Sequence, residues 1–147
     1  MPNLTGNLFK YDLLTKLVDF SADTFKARLM TSGFIFNRAT HKQWSDVSTF
    51  ELGNGVGYTT GGISLAGVAV AQDNVNHKAT VTWNNPQWTA SGGNIGPISG
   101  LMVIDDTVAN DPIVLYIPFS PEMTQPNGGT FTVAGVEYDQ VDTITPA

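Results

Sequence analysis

The chain has no cysteine, few charged residues and no long apolar run, and each absence excludes a class of protein. Without cysteine among its 147 residues, neither disulfides nor thiolate-bound metals contribute to the fold. No stretch approaches the ~20 apolar residues that a membrane-spanning helix needs. The first residues lack the basic start and long apolar core of a signal peptide, so we expect a protein made and kept in a cytosol, or assembled from there.

The residues that are plentiful favour strands joined by turns. Charged residues make up 14% of the chain, whereas glycine occurs 15 times and threonine, valine, isoleucine and aromatic residues are common. The length fits one domain. We therefore predict a single mainly β domain over residues 1–147, a sandwich or partly closed barrel of about seven or eight strands with one short N-terminal helix.

Residues 100–119 are predicted to form the centre of the core. Two continuous apolar runs, residues 101–104 and 113–117, flank a linker rich in turn-forming residues. This pattern is typical of a β-hairpin with a longer loop. Because the runs are apolar on both faces of the pleat, we expect the hairpin to lie centrally in its sheet.

The two ends of the chain each leave an alternative open. Residues 1–22 are predicted to contain a helix that Thr5 or Asn7 caps and that runs to about residue 17. Its apolar face consists of residues at helical spacing: Phe9, Leu13, Leu14 and Leu17. This helix lies on the domain or forms an arm to a neighbouring subunit. The acidic residues 137–147 extend the last strand or leave the domain as a tail.

Charge is distributed unevenly along the chain. The net charge of −6 argues against nucleic acid as a partner. Residues 1–42 carry six basic and three acidic residues, whereas the remainder has one lysine and ten acids. The alternation in residues 23–30 predicts a half-exposed strand with Lys26 and Arg28 on its outer face. One interpretation is chance; the other is that the first third docks on an acidic partner through Lys26, Arg28, Arg38 and Lys42.

Three tryptophans suggest further contact points. Trp83 is in phase with the buried face of a predicted strand, so we assign it to the core. Trp44 and Trp88 lie in predicted loops, where they serve packing, a protein interface or a glycan.

Motifs for catalysis or metal binding are weak. His41 and His77 lie in predicted loops, where we expect both to be exposed to solvent, and neither has metal-ligand spacing. The glycine-rich residues 53–62 match no phosphate-binding pattern and predict a structural turn. Four oxygen-bearing side chains are weak candidates for Ca²⁺, although an Asx-rich turn is the better interpretation. They are Asp105, Asp106, Asn110 and Asp111.

The order of several segments resembles a group of small virion structural proteins of tailed bacteriophages. The resemblance extends to about residue 133, its motifs are strands and turns, and residues 138–147 depart from it. It is carried by residues 7–12, 23–26, 29–32, 40–41, 45–47, 55–62, 103–107 and 110–112.

Proteins of this size, acidity and β content look like capsid cement or decoration proteins. The resemblance implies no enzyme activity and no cofactor. It implies a place on the capsid surface, with the major capsid protein as partner and self-association as a trimer rather than a dimer. A tail or tail-tip component for host adhesion, using Trp44, Trp88 and the glycine-rich segment, is the alternative. A small hydrolase is disfavoured because no triad or metal set is evident.

Overall fold

The computed structural model describes residues 3–141 and is mainly β, as predicted. Its elements, in chain order, are α1 (Asn7–Leu14), β1 (Phe25–Thr31), β2 (Ile63–Leu65), β3 (Ala69–Asp73), β4 (Lys78–Thr82), β5 (Gln87–Thr89), β6 (Ile95–Asp105), β7 (Ile113–Gln125), β8 (Thr130–Thr132) and β9 (Glu137–Val141). Two single-turn 3₁₀ helices occupy Trp44–Asp46 and Ser48–Phe50. The strands form open sheets in a sandwich-like arrangement, so the barrel alternative is wrong.

A four-stranded antiparallel sheet, in the order β2-β1-β6-β7, forms the centre of the molecule. The prediction of a central hairpin is confirmed, because β6 and β7 pair over their apolar runs and residues 101–104 and 113–117 are buried. Apolar side chains project from both faces of this sheet, and a separate apolar cluster shields each face from water.

The first cluster joins the central sheet to two smaller sheets. Alternate residues of β1, including Phe25 and Leu29, pack with aromatic residues from the other strands. Those strands form a three-stranded sheet, β3-β4-β9, and a two-stranded sheet, β5-β8. The aromatic residues are Trp88, Phe131 and Tyr138, together with Trp83, which directly follows β4. Trp83 is buried, which confirms its assignment to the core.

The second cluster covers the opposite face of the central sheet. Phe34, Phe36 and Val47, from the irregular segment after β1, pack on Met30 and Met102. The prediction that β1 is half exposed is therefore wrong. The strand lies between β2 and β6, and five of its seven residues are buried.

Helix α1 is shorter than predicted, and its caps differ. Gly6 precedes it without a side-chain cap, so neither Thr5 nor Asn7 has the predicted role. At its end, the N–H of Lys16 donates to the Leu13 carbonyl (3.3 Å) and that of Leu17 to the Asp12 carbonyl (2.9 Å). Lys16 has a φ of 63°, so this is a Schellman ending with a lysine where glycine is usual.

The end of the described chain belongs to a sheet. Residues 137–141 pair with β4 as β9, so this part of the predicted tail continues the fold. The other residues of that predicted tail, 142–147, lie outside the described residues. No helix within residues 3–141 is long and apolar enough to cross a membrane.

Candidate docking surfaces

Each of the two basic residues of β1 forms an ion pair with a carboxylate in the folded protein. Arg28 is buried, and its Nη1 lies 3.3 Å from Glu51 Oε2. Lys26 is partly exposed, and its Nζ lies 3.3 Å from Asp106 Oδ2. Both acids come from the acidic part of the chain, so the basic and acidic parts of the sequence meet at β1. The prediction of a basic outer face on β1 is wrong.

Arg28 belongs to a polar network that fastens the glycine-rich segment to the central sheet. Glu51 Oε1 accepts hydrogen bonds from the Tyr58 hydroxyl and from the Gly61 N–H, each at 2.7 Å. The Tyr58 hydroxyl oxygen in turn accepts the N–H of Leu29 at 3.2 Å. Desolvation by burial is the main cause that raises the pKa of Tyr58. The structural interpretation of residues 53–62 is therefore supported by specific contacts.

The two tryptophans assigned to loops are both used within the fold. Trp88 lies in β5, is buried and stacks on Phe131 with ring centroids 5.4 Å apart. Trp44 is half buried, and the Arg28 guanidinium lies 4.2 Å from the centroid of its ring. This cation–π contact adds to the ion pair that holds Arg28. Trp88 cannot be an exposed anchor, so the docking prediction is wrong for this residue.

The other two predicted docking residues are exposed but differ in their surroundings. Arg38 packs against the segment that precedes α1, and its Nε donates to the Thr5 carbonyl at 2.7 Å. Lys42 begins a tight turn in which Asp46 Oδ2 accepts its N–H at 2.9 Å. The backbone N–H groups of Lys42 and Gln43 are the main causes that lower the pKa of Asp46. A carboxylate thus lies beside Lys42.

The outer side of helix α1 combines exposed apolar residues with lysines. Tyr11, Leu14 and Leu17 are all exposed, Leu14 to 85%, although the sequence pattern assigned Leu14 and Leu17 to the buried face. Lys10 lies beside them, and Lys16 follows at the end of the helix. None of the ion pairs formed within residues 3–141 involves either lysine. We call Lys10, Tyr11, Leu14 and Leu17 the α1 outer face.

The sequence contained a signal for this face. The helical segment has more apolar residues than one buried stripe can hold, and the buried side takes Phe9 and Asp12. Burial raises the pKa of Asp12, which marks the inward orientation of this carboxyl group. Apolar residues on two sides of a short helix indicate that one side has no partner among the described residues.

The acidic turn after β6 is a structural turn. Asp105 is fully buried, and its Oδ1 accepts the N–H groups of Thr107 (2.9 Å) and Val108 (3.2 Å), which confirms the Asx turn there. Asp106 is engaged by Lys26. Asn110 and Asp111 have positive φ values of 70° and 48°, as turn residues often do. Residues 3–141 contain no cluster of three or more histidine or carboxylate side chains suited to a metal.

The histidines occupy different settings. His77 is exposed at the tip of the β3–β4 hairpin. His41 is only half exposed, stacks on Phe34 at 5.6 Å and accepts the Asn37 N–H at its Nδ1 (3.0 Å), so it is not the solvated loop residue that we predicted. An open groove of about 760 Å³ lies between the end of β7 and strands β8 and β9, and neither histidine lines it.

The described part of the chain thus forms a mainly β, sandwich-like fold with one short N-terminal helix. No protein-family model, no curated protein and no solved structure matches the chain.

Proposed function

We propose that the chain is a capsid decoration protein of a tailed bacteriophage, made in the host cytoplasm and bound to the outside of the assembled capsid. The major capsid protein is its partner, and the proposal includes no catalysis and no cofactor. The segment-by-segment resemblance to small virion proteins supports this assignment. The exposed α1 outer face carries the proposal further, because it supplies a contact surface that the other residues of 3–141 leave uncovered.

The α1 outer face replaces the predicted docking surface. Lys26 and Arg28 are already paired with carboxylates, so their charges are largely compensated. Lys10 and Lys16 lie beside exposed Tyr11 and Leu14 and form no ion pair within residues 3–141. An apolar centre flanked by basic residues suits an apolar patch with an acidic rim on the capsid.

Decoration would stabilise the capsid by linkage. A protein that binds the assembled lattice but not the free subunit stabilises the lattice by RT ln(1 + [L]/Kd), about 2.7 kcal/mol at a hundredfold excess over Kd. The protein needs no reactive group for this effect. It needs a stable fold and a surface that recognises the lattice.

The tail-tip alternative has less support. It used Trp44, Trp88 and the glycine-rich segment to contact a host glycan or protein, but Trp88 is buried and Trp44 lies against the Arg28 guanidinium. No second function is proposed.

Co-sedimentation with capsids stripped of their decoration tests the proposal. We expect the wild type to bind, and Lys10→Glu to weaken binding about tenfold at low salt, with the difference shrinking as salt screens the charges. The matched control is Lys42→Glu, an exposed lysine with the same change in charge, which we expect to bind like the wild type.

Each other outcome has a defined meaning. If the wild type does not sediment with capsids, the proposed function is wrong. If Lys42→Glu weakens binding while Lys10→Glu does not, the docking face is the one predicted from the sequence. Cryo-electron microscopy of virions adds an independent check, since a decoration protein is present at a copy number near that of the capsid protein.

A further inference from the structure

Strand β3 is largely uncovered by the described part of the chain. It lies at the edge of the β3-β4-β9 sheet, and four of its five residues are exposed, although they alternate between the two faces. Val68 and Val75, which flank the strand, are also exposed. A strand that is open on one edge and on both faces is a template for pairing with another strand.

The inner face of this sheet ends abruptly at β3. Val70 pairs with Val81, and Val81 pairs with Tyr138, so the three side chains form a row across the three strands. Tyr138 is 9% exposed and Val81 5%, but Val70 is 57% exposed. The apolar row therefore extends from the core to the surface and ends at Val70, which has no neighbouring strand beyond it in the described chain.

Other edge strands form hydrogen bonds with residues from the N-terminal part of the same chain. The Leu4 N–H and carbonyl both bond to Tyr116 of β7, each at 2.8 Å. Asn3 Nδ2 donates to the Glu137 carbonyl of β9 at 2.7 Å. Within residues 3–141, residues 69–72 make no hydrogen bond other than those of the ladder with β4. The free edge of β3 also lacks the lysine or proline that commonly protects such strands.

The lack of charge along β3 favours a partner whose matching strand is also uncharged, as it is in a second copy of the same chain. The protein has a net charge of −6, so two copies repel each other over most of their surfaces. Residues 63–72, by contrast, contain no charged side chain. This stretch lets two acidic molecules approach without placing like charges together.

We propose that two copies pair through antiparallel β3 strands across a two-fold axis, with Val70 opposite Val70 of the partner subunit. The pairing joins two three-stranded sheets into one of six strands and continues the apolar row across the axis. Asp73 then lies opposite Gly67 of the partner subunit, away from the equivalent carboxylate. An isologous contact of this kind closes as a dimer, which differs from the trimer that the resemblance implies.

The pairing does not depend on capsid binding, so it is tested with the purified protein alone. We expect sedimentation velocity over a concentration series to show a monomer–dimer equilibrium. Val70→Lys places two like charges opposite each other at the axis and should weaken the dimer about tenfold or more. Val75→Lys, at an 86% exposed position in the adjoining loop, is the matched control and should leave the dimer unchanged.

Cross-linking gives a second readout that does not require a stable dimer. Directly opposed antiparallel residues have Cα atoms ~4.5–5.5 Å apart, a separation that a disulfide can bridge. The natural chain has no cysteine, so Val70→Cys introduces a single thiol. We expect mild oxidation to link Val70→Cys into covalent dimers much faster than Val75→Cys.

Three results would overturn the pairing. They are a wild type that stays monomeric over the whole series with no faster cross-linking at residue 70, a dimer that Val70→Lys leaves intact, and a trimeric mass. Because none of these measurements involves capsids, their outcome is separate from that of the proposed function.

Discussion

The central sheet and the β3–β4 hairpin are built from similar residue classes but reach opposite degrees of burial. In the central hairpin, residues 101–104 and 113–117 are buried on both faces. In β3, a shorter apolar run, residues 69–71, is exposed on both faces. The difference lies in the size of the side chains, since leucine, isoleucine and methionine fill the first run and alanine and valine the second.

Side-chain size decides this outcome because burial contributes about 25 cal/mol for each Å² of apolar surface removed from water. A strand with two alanines and one valine has little apolar surface, so burying it contributes less to the free energy of folding than burying the strands with larger side chains. Such a strand remains at the periphery, where it is available for contacts with another chain. The centre of the molecule thus provides stability, and the hairpin provides a surface.

The largest expected difference between the two regions concerns their ion pairs. Arg28–Glu51 in the central region has side chains exposed to 11% and 7%, whereas Lys78–Asp139 in the hairpin sheet has 23% and 32%. Glu51→Gln removes the charge that compensates buried Arg28 and should cost on the order of 3 kcal/mol in the free energy of unfolding. Asp139→Asn should cost less than about 1 kcal/mol.

Urea denaturation of both variants beside the wild type measures this difference. Equal losses would contradict the contrast between a buried central network and a solvated peripheral one. Glu51→Gln keeps an acceptor for Tyr58 and Gly61, so a large loss would report the uncompensated charge rather than the broken hydrogen bonds.

A second prediction concerns pH and the end of the central sheet. Burial raises the pKa of Asp105 to about 6, and the nearby Asp23 carboxyl group adds to the shift. The folded state therefore binds this proton more tightly than the unfolded state. Asp105 should make the protein more stable as pH falls from above 6 towards 4, opposite to a carboxylate whose pKa is lowered on folding.

Asp105→Asn isolates this contribution. The amide keeps an oxygen for the Thr107 and Val108 N–H groups and does not ionise. We expect the variant to exceed the wild type by on the order of 2 kcal/mol at pH 8 and to match it near pH 4. Thermal unfolding across this pH range is the measurement, and a difference independent of pH would contradict the prediction.

The sequence predicted what depends on local pattern. The central hairpin, the β class, the core position of Trp83 and the Asx turn at Asp105 each follow from residues close together in the chain. It failed for Arg28 because the residue that compensates its charge, Glu51, is 23 positions away. The strand pattern indicated an exposed face, whereas the cover comes from an irregular segment that no periodicity reveals.

The candidate surfaces were predictable to a lesser degree. Trp88 was assigned to a loop because β5 has three residues, and its partner Phe131 in β8 is remote in sequence. The basic docking set retained only Arg38 and Lys42 as exposed residues without ion pairs in the described chain. The excess of apolar residues in α1 indicated that some are exposed, but Lys10 and Leu14 were identified only from the buried side of the helix. Long-range pairing, which sequence spacing does not encode, decided each of these outcomes.

The smallest prediction concerns the stability of the hairpin itself. His77, in the β3–β4 loop, has a φ of 53°, a conformation that costs a residue with a Cβ atom more than it costs glycine. His77→Gly should stabilise the hairpin by about 0.5–1 kcal/mol, because glycine adopts this conformation without strain. Val75→Gly, in the same loop without a positive φ, is the control and should bring no gain. Hydrogen exchange of the β3 and β4 amides is the suitable measurement, since a peripheral hairpin opens locally before the central sheet unfolds. Slower exchange in both variants would mean that the histidine conformation is not the source of the strain, and slower exchange in His77→Gly alone supports it.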